Sequence, residues 1–109
     1  MTENSCETFW AKIYIAGPIE FAKQIIRREC MQDGLCVTVE PTSYVYTGGE
    51  ESGYVVGFVN YPRFPTEPED IIKRAKDLMV KLLEETYQNS AMLVTTTKTE
   101  WVSKKEIND

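Results

Sequence analysis

The sequence predicts an α+β domain of ferredoxin-like βαββαβ order, a four-stranded antiparallel sheet with two helices on one face. Three observations lead there. Residues 10–16 and 35–40 alternate apolar and polar side chains with the period of a strand. Residues 19–33 and 66–88 carry apolar side chains at helical spacing. Residues 44–65 hold two apolar runs about the stretch Gly48-Gly49-Glu50-Glu51-Ser52-Gly53, the pattern of a β-hairpin. A chain of 109 residues makes one domain with one modest core, and residues 1–9 and 103–109 are expected to be flexible ends.

In the first strand Ala11, Ile13 and Ile15 fall on one face and Trp10, Lys12 and Tyr14 on the other. Gly17-Pro18 breaks it. In the first helix Ala22, Ile26 and Cys30 recur every fourth residue, with Ile25 beside them, and Gly34 is placed to end it in the left-handed conformation. Leu35, Val37 and Val39 share a face of the next strand until Pro41, which marks an edge, bulge or bend before the hairpin arm at 44–46. Gly48, Gly49 and Gly53 are expected to supply positive φ in the hairpin tip. Thr66 and Glu69 have the spacing of a capping box, and Ile71, Ala75, Leu78 and Leu82 follow at helical spacing. Glu69/Lys73, Asp70/Arg74 and Asp77/Lys81 are i,i+4 pairs on its solvent side. Residues 91–102, rich in threonine and β-branched side chains, read as one last strand.

Charge and composition exclude several classes of function. Twelve basic against 17 acidic residues leave a net charge of -5, which repels phosphate backbones and anionic membranes, so nucleic acid is disfavoured as a partner. The absence of histidine removes the usual near-neutral base and the commonest metal ligand. Cys6, Cys30 and Cys36 are odd in number and match no zinc or disulfide spacing, which points to a reducing cytoplasm; neither a signal peptide nor a membrane span is visible. No cofactor and no metal is expected.

Ile13-Tyr14-Ile15-Ala16-Gly17-Pro18 resembles the opening strand of the nucleoside deoxyribosyltransferase family. The resemblance covers six residues. It implies a parallel, Rossmann-like sheet, a turn at Gly17 and Pro18 lying against a nucleoside, and a later carboxylate that attacks the sugar. It is the basis of an alternative reading as a nucleoside- or nucleotide-processing enzyme.

The residues themselves favour a binding surface. Tyr44, Tyr46, Tyr54 and Tyr61, with Asn60 and Arg63, join aromatic rings to a guanidinium that suits a planar or anionic ligand or a protein partner. Cross-strand pairing of hairpin aromatics accounts for the same residues equally well. Glu50 and Glu51 at the tip suit a cation or a basic partner, or are simply solvated acids. Trp10, Lys12 and Tyr14 on the open sheet face are expected to meet a second copy in a homodimer. The expectation is a small non-enzymatic binding or inhibitory module, phage-encoded or regulatory, that occupies a partner or sequesters a metabolite.

Overall fold

The computed structural model describes residues 1–104. The chain runs β1 (Trp10–Ala16), α1 (Ile19–Asp33), β2 (Thr38–Tyr46), β3 (Gly49–Val59), α2 (Pro68–Glu85), β4 (Ser90–Thr95) and β5 (Thr99–Ser103). The strands form one antiparallel sheet of order β2-β3-β1-β4-β5. Among the described residues the fold is α+β with two helices, and the expectation of four strands is corrected to five. The reason lies in the threonine run. Thr95 Oγ1 accepts hydrogen bonds from the backbone N–H groups of Thr97 at 3.4 Å and Lys98 at 3.1 Å. A side chain that bonds its own backbone competes with the sheet ladder, and here it turns the chain back, so Trp101 lies opposite Met92.

The alternation in β1 is what places the core. Ala11, Ile13 and Ile15 are buried, and they meet Ala22, Ile25 and Ile26 of α1 and Ile71, Ala75, Leu78, Met79, Leu82 and Leu83 of α2 within one apolar cluster. Burying each of the large side chains contributes about 1.5–3 kcal/mol. Cys30 packs at the margin of this cluster, half-buried, while Cys36 is exposed.

Helix α1 begins and ends as its sequence predicts. Gly34 takes φ 67°, and the N–H groups of Gly34 and Leu35 both donate to Cys30 O. Helix α2 differs at its start and end. The expected capping box does not form: Glu67 is the N-cap, Pro68 holds the first turn with its fixed φ, and Thr66 N–H donates instead to Asn60 Oδ1 at 2.9 Å. The helix stops at Glu85, two to three residues before the expected end, where Thr86 Oγ1 donates to Leu82 O. Its ion pairs also differ from the expected set. Lys73 meets Asp77, Lys76 meets Glu100 of β5, and Lys81 reaches Glu29 of α1. The expected fraying of residues 103–109 falls partly on 105–109, outside the described residues; Lys104 is tied by its N–H to Asn89 O and by Nζ to Leu83 O.

The hairpin turns more tightly than its glycines suggest. Tyr46 pairs with Gly49, leaving a two-residue turn at Thr47 and Gly48, so Glu50 and Glu51 lie in β3 opposite Val45 and Tyr44. Of the three glycines expected to have positive φ, only Gly48 does. Gly49, Gly53 and Gly57 share the open face of β3 and serve a different end: a Cβ there would collide with Tyr46, Tyr44 and Thr38 respectively, side chains of β2 that lie across the bare backbone. Pro41 sits within β2, paired with Tyr54, where an edge strand tolerates a missing donor.

Candidate active site

The residues singled out in the hairpin separate into three places. Tyr44, Tyr46, Glu50 and Glu51 lie at the turn end of β2 and β3. Tyr54 faces the helices and is fully buried. Asn60, Tyr61 and Arg63 follow the far end of β3, and at about 3.3 Å per residue the strand holds them roughly 30 Å from Glu50. Asn60 is consumed by the fold: Nδ2 donates to Glu7 O at 2.8 Å, Oδ1 accepts from Thr66, its N–H donates to Phe9 O and its carbonyl accepts from Cys6 Sγ. Tyr61 Oη accepts from Cys36 Sγ at 3.3 Å, and this contact raises the Tyr61 pKa. Arg63 stacks on its neighbour Phe64 with 5.4 Å to the ring centre.

At the turn end a recess of about 200 Å³ opens on the sheet face that carries no helix. Tyr14 of β1, Tyr44 of β2, Glu51 of β3, Met92 of β4 and Trp101 of β5 all line it. Strand alternation brings them there. Tyr14 pairs with Val55 and Met92, Tyr44 with Glu51, and Met92 with Trp101, so every strand contributes to one surface. Tyr44 forms its fixed side: Oη lies 3.2 Å from Ile15 O and 3.1 Å from Tyr54 O and donates to these carbonyls. Burial pushes this phenol above its ordinary pKa, against the opposing effect of the Ile15 bond, and nearby Tyr14 and Glu51 raise it further. It is a neutral donor at physiological pH. Among the described residues the Glu51 carboxylate makes no ion pair or hydrogen bond, and Lys12 of β1, which pairs with Gly57 six residues along β3, rests over the Trp10 ring at 5.4 Å. Trp101 is 69% exposed.

A second recess, of about 590 Å³, lies on the helix side of β3 between the Gly17-Pro18 turn and Thr42, Ser43 and Ser52. Gly17 has φ 124°, a conformation that favours glycine, and donates to Ser52 O. Among the described residues the one carboxylate lining this groove, Glu20, pairs with Lys23. The sheet stands between the two recesses, and their linings differ in chemistry: one offers rings, a thioether and an unpaired carboxylate, the other hydroxyls. Among the described residues no group of three or more His, Cys, Asp or Glu side chains converges to hold a metal.

Tyr14, Tyr44 and Glu51 stand out in the sequence by residue type but not as neighbours, and Met92 and Trp101 carry no sequence signal for this site. In a single strand over 91–102 those two residues stand far apart; only the turn at Thr95–Lys98 sets them side by side.

No protein-family model and no curated protein matches the chain. Two solved structures do. A phage SAM lyase in complex with S-methyl-5'-thioadenosine is 15% identical, with a TM-score of 0.69 over 94% of this chain and 95% of that one. A phage SAM lyase in its apo state is 16% identical, with a TM-score of 0.71 over 97% and 98%. At this identity the likeness establishes the fold. It overturns the expectation of a non-enzymatic binding or inhibitory module, because the architecture is one that an enzyme carries. Missing histidine, metal and phosphate-loop signals count only against chemistries that need them. The parallel sheet implied by the deoxyribosyltransferase resemblance is likewise absent, since all strand pairs described are antiparallel.

Proposed function

We propose that this protein is a SAM lyase, cleaving S-adenosylmethionine to S-methyl-5'-thioadenosine at the open-face recess. The observation that carries the reading is the likeness, over nearly the whole chain, to a phage SAM lyase whose structure holds that thioadenosine. The product retains the adenosine, sulfur and methyl group and lacks the amino-acid arm, so the bond that breaks joins sulfur to that arm. Its electron pair passes to sulfur, so a sulfonium becomes a neutral thioether. The substrate's own carboxylate oxygen bonds to the carbon that sulfur leaves, and the arm departs as a lactone with no external co-reactant. A thioether leaving group needs no proton, so a chain without histidine can support the reaction.

The recess suits this substrate class. Trp101 and Met92 offer an apolar platform for a purine, and Tyr14 and Tyr44 wall the adjoining space. At about 200 Å³ the recess is smaller than the ~300–1,000 Å³ typical of sites that engulf a drug-sized ligand, so part of the substrate extends along the sheet face. Self-association fits here. The same open face continues through Trp10, Lys12 and Val59, and a second copy laid over it would make a homodimer and cover what the recess leaves open. Among the described residues no helix is long and apolar enough to cross a membrane, and the free thiols of Cys6, Cys30 and Cys36 support a cytoplasmic setting.

The site assignment is tested by titrating S-methyl-5'-thioadenosine into isotope-labelled protein. Shifts concentrated at Tyr14, Met92 and the Trp101 indole are expected. Shifts confined to Gly17, Thr42 and Ser52 would move the site to the hydroxyl-lined groove.

A further inference from the structure

Resting on that reading of the open-face recess, we propose that the recess selects its ligand by charge, with Glu51 as the specificity-determining residue that favours a cationic nucleoside over the neutral thioether of the same shape. Three observations combine. Glu51 is the one carboxylate lining the recess and has no ion pair or hydrogen bond among the described residues, unlike Glu29, Glu85 and Glu100, each of which is held by a cation. Three rings, Tyr14, Tyr44 and Trp101, line the recess with Glu51, and an aromatic ring's negative face adds attraction for a positive centre in the space Tyr14 and Tyr44 share with that carboxylate. Lys12, the lysine of β1 on this face, pairs with Gly57, six residues along β3 from Glu51 or about 20 Å at ~3.3 Å per residue, and rests on Trp10, so it does not neutralise the carboxylate.

The consequence is a polarity to turnover. The sulfonium charge is lost when the sulfur–carbon bond breaks, so the attraction that draws the substrate in does not retain the product. Substrate enters as a cation and leaves as a neutral thioether. An acidic protein of net charge -5 adds a long-range field of the same sense.

Two stable probes isolate the charge: sinefungin, in which an amine-bearing carbon replaces the sulfonium, and S-adenosylhomocysteine, which is neutral at that centre. Their dissociation constants are measured calorimetrically for the wild type, Glu51→Gln and Trp101→Ala, with circular dichroism to verify folding. The wild type should prefer sinefungin about tenfold, a difference of about 1.4 kcal/mol. Glu51→Gln should bring the preference below about threefold while leaving S-adenosylhomocysteine affinity within about twofold. Trp101→Ala should weaken both ligands alike and leave the ratio standing. A wild-type ratio near one, or an unchanged ratio in folded Glu51→Gln, overturns the proposal. If thioadenosine forms from S-adenosylmethionine while the ratio is one, selectivity alone falls; if neither probe binds and no product forms, the lyase reading falls with it.

Discussion

The ring of Tyr44 fills the space that a side chain at Gly53 would need, so one strand's tyrosine lies flat on the next strand's bare backbone. An added Cβ would collide with Tyr44 Cε2 and with Ile15 O, and Gly53 lacks positive φ, so the demand is for room rather than for backbone freedom. Gly53→Ala should therefore destabilise the protein by about 1–3 kcal/mol through overpacking, read as a lower urea midpoint. It should also displace a wall of the recess. An unchanged midpoint would mean that the ring moves aside freely.

Tyr54 presents the opposite case, a hydroxyl the fold does not use. It is fully buried, and among the described residues its Oη finds no hydrogen bond of ordinary geometry although Thr86 lies close by. Burial pushes the phenol up to about 12, partly offset by Thr86. Its contribution to pH dependence follows: below about pH 10 both folded and unfolded forms hold the proton, and above it the unfolded chain ionises first, so stability is lost as pH rises towards 12. Tyr54→Phe removes an unsatisfied polar atom and should be neutral or stabilising by up to about 1 kcal/mol at pH 7, with a smaller alkaline loss. A marked destabilisation in urea would reveal a partner for the hydroxyl.

How far the sequence could be read depended on whether its signals were local. β1 and α1 were legible to the residue because alternation, the Gly-Pro break and Gly34 act within a few positions. The extra strand was not, because threonine suits a ladder and a side-chain turn alike, and Thr95 takes the turn. The glycines of β3 were recognised and their purpose misread, since the colliding atoms belong to another strand. The recess was half legible for the same reason. Tyr14, Tyr44 and Glu51 stood out by type, but Met92 and Trp101 become neighbours only through the β4–β5 register.

Between the helices, Glu29 accepts from Arg28 Nε at 2.9 Å and from Lys81 Nζ at 2.8 Å, while Arg28 reaches on to Glu85. The Lys81 bond, opposed by burial and joined by Arg28, holds the Glu29 carboxyl below its ordinary range; the Arg28 bond lowers Glu85. Both depressed groups stabilise the fold above the ordinary carboxylate range near pH ~4.3, and that contribution is lost as pH falls through their folded values. Glu29 is only 4% exposed, yet it borders a groove of about 390 Å³ and is covered by its partners more than by depth, so solvent screens it. Glu29→Ala should cost on the order of 1–3 kcal/mol at pH 7 and flatten the acid limb of a stability–pH profile. Parallel acid limbs for variant and wild type would remove this carboxylate from the account.

Self-association is tested at the other end of the open face. Trp10 is paired with Val59, which is 47% exposed. Light scattering should give about twice the 12.5 kDa chain mass, and Trp10→Glu, which would place a charge in the interface, should shift the population to monomer. A concentration-independent monomer in the wild type would contradict the dimer.

The central claim is tested most directly by incubating purified protein with S-adenosylmethionine and following both sulfonium and thioether by chromatography, beside a blank that corrects for spontaneous decay. The account predicts S-methyl-5'-thioadenosine accumulating mole for mole with substrate consumed, without added metal, and a fall of at least about tenfold in kcat/KM for Trp101→Ala in folded protein. Substrate decaying no faster than in the blank, with folded wild-type protein at micromolar concentration, would contradict it.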